Sequence, residues 1–549
     1  MFRGFVMTME QTTGEGVGPI PAEAVPPGGE TARIARAAGV LALGNVASRL
    51  LGLARETVKS HFFGAGAIVD AYGVATAVPT MLHDLLVGGM VNGALVPVFS
   101  EYAERDREEL WRLASAFLNL SIVVLAAIIL IVELLAPQIA TLILSGQEAA
   151  TQALAARLLR ITLPAVLFLS LSAVLSGLLY ALKRFSLPAF TAAVFNATIV
   201  IAAIALHRQL GIAALAVGLL AGSALQVVLQ LPGLRDSSLR LGLRLWHPGL
   251  RRVGMLYVPT LIPLLADVGL SRPISYVLAS QSGEGGISYL NYATQLVQMP
   301  QGLVATAISL AVLPTLSAAA ARRAAGLDAG NSSFEQTLAR GLRLVVALIL
   351  PAAVGLFILA EPTVALLYGH GEFAATDTFM TSWALRYYLL GLPFAAVDLL
   401  LVYAFYAQQD TLTPSLIGVG TIIAYLLLAA ALLPVFGLFS LMIADSVKHL
   451  LHTIFSAVFL RRRLEGVRQY GAYRAFGVVL VASAAMGAAA YGALLGVEAL
   501  LPGGGLAEVL AVLVPALVGA GVYLGLSSLL GLEEIRLLWA AVRRRLGAQ

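Results

Sequence analysis

Four charged residues lie close together in the first long apolar segment of the chain: Arg49, Arg55, Glu56 and Lys59. An ionisable group at the bilayer centre costs at least about 2.5–3.5 kcal/mol, so each of them needs a partner or a role. Glu56 and Lys59 have the i,i+3 spacing of a helical ion pair. Arginine suits phosphate because its planar fork donates two parallel hydrogen bonds. The pattern predicts either a cationic cavity lining for an anionic head group or a structural ion-pair network near a helix end.

A second intramembrane acid, Asp267, stands in a proline-rich segment with Pro259, Pro263 and Pro273. Prolines in a membrane helix favour a broken helix, whose freed carbonyls can hold a cation. Asp267 is therefore a weak candidate for a Na⁺ or H⁺ site.

Motifs of an enzyme are missing from the sequence. His449 and His452 have helical spacing, but no glutamate completes a zinc-binding H-E-x-x-H motif. No phosphate-binding P-loop occurs, and the chain has no cysteine for a disulfide or a thiolate metal site. The spacing of Asp445, Lys448 and His449 indicates an internal salt bridge. The sequence therefore predicts that the chain is not an enzyme and needs no cofactor.

The elements that must position these charges are membrane helices. The chain is 59% hydrophobic and only 12% charged, which excludes a soluble multidomain protein. Backbone groups in lipid must be paired internally, and the apolar runs lack the alternation of a β-barrel, so the spans must be helices. Fourteen spans are predicted, near 37–62, 68–97, 112–136, 153–181, 187–206, 211–232, 253–280, 287–316, 341–361, 381–407, 413–434, 437–460, 475–501 and 506–531.

Basic residues predict the orientation of these spans. They cluster in the loops after even-numbered spans and in the C-terminal tail, as in Arg461, Arg462 and Arg463, whereas the opposite loops carry one basic residue, Arg208. By the positive-inside rule, both termini face the cytoplasm. Met1–Glu30 has no long apolar run and is interpreted as a disordered cytoplasmic tail rather than a signal peptide.

A sequence pattern that occurs twice, the sequence echo, indicates two parallel repeats. Tyr180-Ala181 and Tyr406-Ala407 end the fourth and tenth spans at an offset of 226 residues (406 − 180 = 226), and a proline follows each tyrosine after eight residues. Six spans separate the pair, so both halves have the same orientation. The predicted domains are the tail (1–30), an N-lobe (31–232), a basic cytoplasmic linker (233–252), a C-lobe (253–460), and a terminal helix pair with a basic tail (461–549).

Short motifs along much of the chain resemble the MurJ (MviN) family of lipid II flippases, in the MOP exporter superfamily. They are SRLLGLARE at 48–56, FGAG at 63–66, VPVFSE at 96–101, LPTLS at 313–317, GLPF at 391–394 and FYAQQDTLTP at 405–414. Their order and spacing make the set fairly specific, and they span about residues 35–460.

The resemblance implies an all-α membrane protein of fourteen helices, with two six-helix lobes around a central cavity and a terminal pair that lines a lipid-tail groove. It implies movement of the undecaprenyl-diphosphate-linked peptidoglycan precursor, lipid II, across the bacterial inner membrane for cell-wall synthesis. The implied energy source is the membrane potential or a Na⁺ or H⁺ gradient, without ATP. The implied partners are this precursor, membrane lipids and the cell-wall synthesis machinery, and no nucleic acid.

The substrate-binding residues follow from the same resemblance. Arg49 and Arg55 match cavity arginines, Asp70 matches an acidic position, and Glu56 stands where an aspartate is common. The chain departs from the family at two positions, where His83 and Gln295 replace arginines. Other basic residues are candidates to compensate: Lys59, Arg272, Arg386 and Lys448.

Other functions stay open at this point. The alternatives are a translocase of another polyprenyl-linked oligosaccharide and a cation-coupled multidrug exporter of the same superfamily. The arginines of the first span argue against the exporter, because cationic drugs favour an acidic, aromatic cavity. A non-transporting scaffold of cell-wall assembly, with structural charges only, is a further alternative.

Overall fold

The computed structural model describes residues 27–240, 242, 245–325, 332–463, 472–501 and 503–535, which form helices joined by short connections. The helices are α1 (Pro27–Phe63), α2 (Ala67–Arg105), α3 (Arg107–Leu134), α4 (Ala136–Ile143), α5 (Ala149–Thr162), α6 (Ala165–Ala181), α7 (Thr191–Leu210), α8 (Ala213–Leu234), α9 (248–281), α10 (286–324), α11 (Ser332–Ile358), α12 (Ala360–Tyr368), α13 (Ala375–Ala407), α14 (Leu412–Phe436), α15 (Phe439–Arg463), α16 (Ala472–Leu500) and α17 (Gly505–Leu529). A single turn, Ser186–Ala189, lies between α6 and α7.

The predicted class, an all-helical membrane protein, is confirmed. Among the described residues, 12 helices are long and apolar enough to cross a membrane, or up to 13 if the pair α5–α6, bent by 40°, forms one span. Every predicted apolar segment overlaps a helix, and the segment at 153–181 overlaps two, α5 and α6. Since α1 carries the charged cluster and falls outside this set, the count of fourteen spans stays a prediction.

The last four residues of the predicted disordered tail belong to a helix. Helix α1 begins at Pro27, so residues 27–30 are helical rather than part of a disordered segment. Proline is well tolerated at the first position of a helix, because its missing N–H would have no partner there. The rest of the predicted tail, together with residues 464–471 and 536–549, lies outside the described residues.

Helix α9 is continuous, so the predicted break in this segment is wrong. The chain stays helical through Pro259 and Pro263, and the hydrogen-bond ladder instead widens to a π-helix over Leu265–Ser271. Pro273 follows two residues after this segment and has no N–H to donate to the preceding turn. Similar π-segments occur in α10 at Gln301–Ala305 and in α2, and such widened turns are frequent at functional sites.

The turns after α6 and α13 share an unusual backbone conformation. Lys183 (φ 59°) and Gln409 (φ 61°) are the described non-glycine residues with positive φ. They lie 226 residues apart (409 − 183 = 226), the offset of the sequence echo. In both turns the next amide reaches back to the last helical turn, from Arg184 to Leu179 at 2.8 Å and from Asp410 to Phe405 at 3.0 Å. This is the hydrogen bond of a Schellman helix end.

The helices before and after residue 240 meet along a shared core. Tyr72 and Val74 of α2 are buried in one cluster with Ile287 and Tyr292 of α10. The terminal pair α16 and α17 packs on α11 instead. A Cβ added at Gly519 would meet Met486 and Ala490 at 3.2 and 3.3 Å, so small residues set the close approach of these two helices.

Candidate substrate site

Arg49 reaches from α1 across to α10, where its Nη1 donates to the Gln298 carbonyl at 3.0 Å. Its guanidinium lies so close to Gly302 that an added Cβ would stand 1.9 Å from Nη2. Gly302 belongs to the π-segment of α10, which brings this backbone against the arginine. No hydrogen-bond partner of the Arg49 Nε occurs in the described part of the chain. The residue thus bridges the two halves.

Arg55, Glu56 and Lys59 form one charged cluster on the same helix. The Arg55 Nε and Nη2 atoms both donate to Oε1 of Glu56, at 3.1 and 2.8 Å. Lys59 donates to the other oxygen, Oε2. The third arm of Arg55, Nη1, donates to Asn196 Oδ1 of α7 at 3.0 Å. Two cations therefore share one carboxylate, and the cluster keeps a net positive charge.

Burial differs sharply within this cluster. The side chains of Glu56 and Lys59 are 8% and 7% exposed, whereas that of Arg55 is 28% exposed. The Lys59 ammonium lies 4.3 Å over the ring of Tyr292 on α10, a cation–π contact between the two halves. Tyr292 in turn packs against Tyr368, with ring centroids 4.8 Å apart. Arg55 is thus the member of the cluster that a solute can reach.

Gln295 lies at the same junction. A Cβ added at Gly52 would meet Gln295 Nε2 at 3.5 Å and Asn196 Nδ2 at 3.7 Å. The bare glycine lets amides from both halves approach α1 between Arg49 and Arg55. Sequence reasoning missed Asn196, Tyr292 and Gly302 as neighbours of the charges, because partners so distant in the chain leave no local spacing signal.

Asp70 makes different contacts from the arginines. Its carboxylate is fully buried and accepts from the Gly285 N–H at 2.9 Å, the Ser288 N–H at 2.8 Å and the Ser288 hydroxyl at 2.6 Å. It therefore caps the N-terminus of α10 from the opposite half. Nearby, Ala67 N–H donates to Glu284 at 3.1 Å and Tyr292 Oη donates to the Gly64 carbonyl at 2.8 Å. We call this set of contacts the Asp70 seam.

His83 and its neighbours lie at a second junction of the two halves. The His83 Nδ1 is 3.3 Å from the Ser170 hydroxyl, a contact inside the first half. The adjacent Asp84 pairs with Arg272 of α9 at 3.1 Å, and Arg272 also pairs with Asp267 at 3.1 Å. The Tyr257 hydroxyl donates to the Leu85 carbonyl close by. These contacts form the Arg272 seam.

Asp267, the predicted cation ligand, therefore already has a cationic partner within its own helix. Its side chain is 46% exposed. Within the described ranges, no group of three or more histidine or acidic side chains is placed to hold a metal ion. A role of Asp267 in cation coupling stays a prediction.

Of the four candidates to compensate for the missing arginines, Lys59 alone makes a described contact with the charged cluster. Arg386 lies over Trp383 at 5.0 Å and 3.7 Å from Glu361, and Lys448 pairs with Asp445. Arg272 belongs to the Arg272 seam. The cationic site is therefore built from Arg49, Arg55 and Lys59, all on α1.

An apolar cavity of about 540 Å³ lies between α11 and the terminal helix pair. Its walls include Pro351, Gly355, Met486, Gly519 and Tyr523. The Tyr523 hydroxyl is paired within the protein, since it donates to the Ala347 carbonyl at 2.6 Å. A space lined in this way suits a hydrocarbon chain.

Comparisons with known proteins point in one direction. The family model for lipid II flippase MurJ matches residues 59–511. The lipid II flippase MurJ of Burkholderia cenocepacia is 33% identical over 435 residues, covering 76% of this chain and 81% of that protein. The probable lipid II flippase MurJ of Bdellovibrio bacteriovorus is 30% identical over 521 residues, covering 92% and 96%.

Solved structures share the fold. A lipid II flippase MurJ in an inward closed conformation superposes with a TM-score of 0.75 at 24% identity, covering 89% of this chain and 98% of that one. An inward-facing MATE multidrug transporter of the MOP superfamily gives 0.66 at 16% identity, covering 77% and 96%.

Proposed function

The chain belongs to the lipid II flippase MurJ family, and we propose that it moves lipid II across the bacterial inner membrane by alternating access of its two halves. The observation that carries this proposal beyond the family is the cationic cluster on α1 at the junction of the halves. Arg49 contacts the second half directly, and the side chain of Arg55, six residues further along the same helix, is 28% exposed.

The charge of this site suits a diphosphate. Arg49, Arg55 and Lys59 are cationic and Glu56 is anionic, so the set carries two net positive charges. A diphosphate diester carries two negative charges, and arginine forks bind phosphate oxygens in pairs. In this proposal Lys59 offsets the charge of Glu56, which leaves the charges of Arg49 and Arg55 for the diphosphate, while Gln295 donates an amide hydrogen bond.

The lipid tail and the polar head of the substrate follow different paths in this proposal. The apolar cavity beside α16 and α17 takes part of the polyprenyl chain, while the polar head passes between the halves. The tail thereby stays in hydrocarbon throughout, so only the head group needs a polar path.

With both termini in the cytoplasm, the Asp70 seam lies at the outer face and the Arg272 seam lies toward the cytoplasm. A negative interior then favours outward release of the diphosphate, by about 2.3 kcal/mol per charge per 100 mV. Coupling to Na⁺ or H⁺ through Asp267 is a separate proposal. Transport by Asp267→Asn should then lose its dependence on the sodium or pH gradient, and an unchanged dependence would exclude it.

The test of the main proposal is complementation of a bacterium depleted of its own lipid II flippase. Wild type should support growth, and Arg49→Ala and Arg55→Ala should each fail at matched membrane abundance, because each removes a phosphate-binding fork. Arg36→Ala is the matched control, since it removes an exposed arginine from the same helix and should grow normally.

The outcomes separate the alternatives. Growth of cells with Arg49→Ala and of cells with Arg55→Ala would exclude phosphate binding by α1 and favour purely structural charges. Failure of a well-inserted wild type would redirect the assignment to another polyprenyl-linked glycan, because His83 and Gln295 stand where the resemblance places head-group arginines.

A further inference from the structure

The phosphate-binding edge of Arg55 is already occupied within the protein. Nε and Nη2 form the edge of a guanidinium that grips two oxygens in parallel. In this structure both atoms donate to the single Oε1 atom of Glu56, while Nη1 is held by Asn196. An incoming phosphate must therefore replace Glu56 at this edge before Arg55 can bind it in the bidentate manner.

Glu56 has a second partner that does not depend on Arg55. Its Oε2 accepts from Lys59, whose ammonium is held in place over Tyr292. Both side chains are almost fully buried, so an anion in solution reaches Arg55 but not Lys59. A carboxylate released by Arg55 would therefore stay paired, which matters because an unpaired buried charge is strongly destabilising.

We propose that Glu56 is a displaceable counter-ion that competes with the substrate diphosphate for Arg55, and that Lys59 retains Glu56 while the diphosphate is bound. Arg55 thus always has an anionic partner, first Glu56 and then phosphate, and Glu56 returns when the lipid leaves. The competition weakens binding of the diphosphate and speeds its release, as a carrier requires. This inference rests on the proposed function, because it assumes that Arg55 binds the head group.

Loss of this charged pair should raise the affinity of the protein for a diphosphate rather than lower it. Replacing Glu56 by Gln together with Lys59 by Met leaves Arg55 only a neutral amide oxygen as competitor and removes both charges of the buried pair at once. The variant Glu56→Gln/Lys59→Met should therefore bind a diphosphate about tenfold more tightly than wild type, because it no longer breaks a charge-assisted hydrogen bond first. A purely structural ion pair would give weaker binding or none.

The measurement is binding of farnesyl diphosphate to the purified full-length protein in lipid nanodiscs, with association and dissociation rates. Inorganic pyrophosphate serves as a second probe, since it shares the diphosphate chemistry without a lipid chain. The double variant should gain affinity for both probes, mainly through slower dissociation. Glu361→Gln, which removes an acid at 3.7 Å from Arg386 and far from the cluster in sequence, is the matched control and should bind as wild type does.

Single variants then assign the role of Lys59. If Lys59 acts by retaining Glu56, Lys59→Met should weaken binding about tenfold in wild type and have no effect in the Glu56→Gln background. If Lys59 instead binds phosphate directly, its removal should weaken binding equally in both backgrounds, which would overturn this part of the inference.

Failure of the inference is distinguishable from failure of the proposed function. If wild type binds neither probe and Arg55→Ala changes nothing, the assignment of the substrate site fails. If wild type binds and Arg55→Ala abolishes binding, but the double variant binds no more tightly, the site stands and the competition by Glu56 is wrong.

Discussion

The Asp70 seam and the Arg272 seam, two of the contacts between the halves of the molecule, are built from different interactions. The Asp70 seam joins a fully buried carboxylate to the N-terminus of a helix, and its other contacts also involve backbone groups of the α1–α2 turn. The Arg272 seam joins side chains that water reaches, with Arg272, Asp84 and Asp267 exposed by 44%, 32% and 46%.

This difference bears on which side of the molecule opens more easily. A buried carboxylate that accepts three hydrogen bonds loses all of them when the halves separate, and it must be rehydrated at the same time. An exposed ion pair stabilises a contact little relative to the same two side chains hydrated separately, typically by about 0–1 kcal/mol. We expect the Arg272 seam to open at low cost and the Asp70 seam to open when substrate binding compensates.

The largest expected effect is that of Asp70→Ala. It leaves two buried N–H groups and a hydroxyl without their acceptor, at a cost of about 3–5 kcal/mol to the closed seam. Because the chain has no cysteine, Ala65→Cys is a clean reporter at this buried turn. Its labelling by a maleimide in detergent micelles should rise strongly in the Asp70→Ala background. Equal protection in both backgrounds would show that Asp70 does not hold the seam closed.

A smaller opening of the same seam is expected for Gly285→Ala. Gly285 has φ +81°, and an added Cβ would stand 2.4 Å from the Ala65 carbonyl oxygen. The strain of a left-handed alanine is about 1–2 kcal/mol, to which the clash adds. Gly283→Ala is the matched control, since Gly283 also has positive φ but has open space around its added Cβ. If both variants label Ala65→Cys alike, backbone strain alone explains the result.

The smallest effect is expected at the other junction, for Arg272→Gln. It removes two exposed ion pairs and leaves Asp84 and Asp267 near each other, at a cost of about 1 kcal/mol. Labelling of Val87→Cys, buried beside this seam, should rise only a few-fold. Molar salt should produce a similar rise in wild type by screening the pairs, with little effect on Ala65→Cys. Strong salt sensitivity at the Asp70 seam would remove the contrast between the two junctions.

Much of the helical architecture was predictable from the order of the residues. Apolar stretches long enough to cross a bilayer must be helical, since lipid offers no partner to backbone groups. The predicted segments accordingly coincide with observed helices. The prediction failed at 27–30 and in α9, where proline opens a helix or widens it to a π-segment rather than breaking it.

The candidate site was predictable only where its partners lie close in sequence. The pairing of Glu56 with Lys59 follows from their i,i+3 spacing, and the choice of Arg49 and Arg55 follows from phosphate chemistry and the family resemblance. Asp70 was grouped with them as a substrate residue. Its carboxylate accepts a hydrogen bond from the N–H of Gly285, which lies 215 residues away in the chain, and no local spacing indicates this contact.

The sequence by itself determined that the protein is a helical membrane protein, where most of its helices lie, and that its first long helix carries several charges close together, because each of these depends on local composition and spacing. Only the tertiary structure decided that Lys59 rests on Tyr292, that Arg49 is held against Gly302, and that Asp70 caps the helix of the opposite half. Such contacts arise when packed helices bring distant segments together, and their energies depend on burial, which no spacing rule contains.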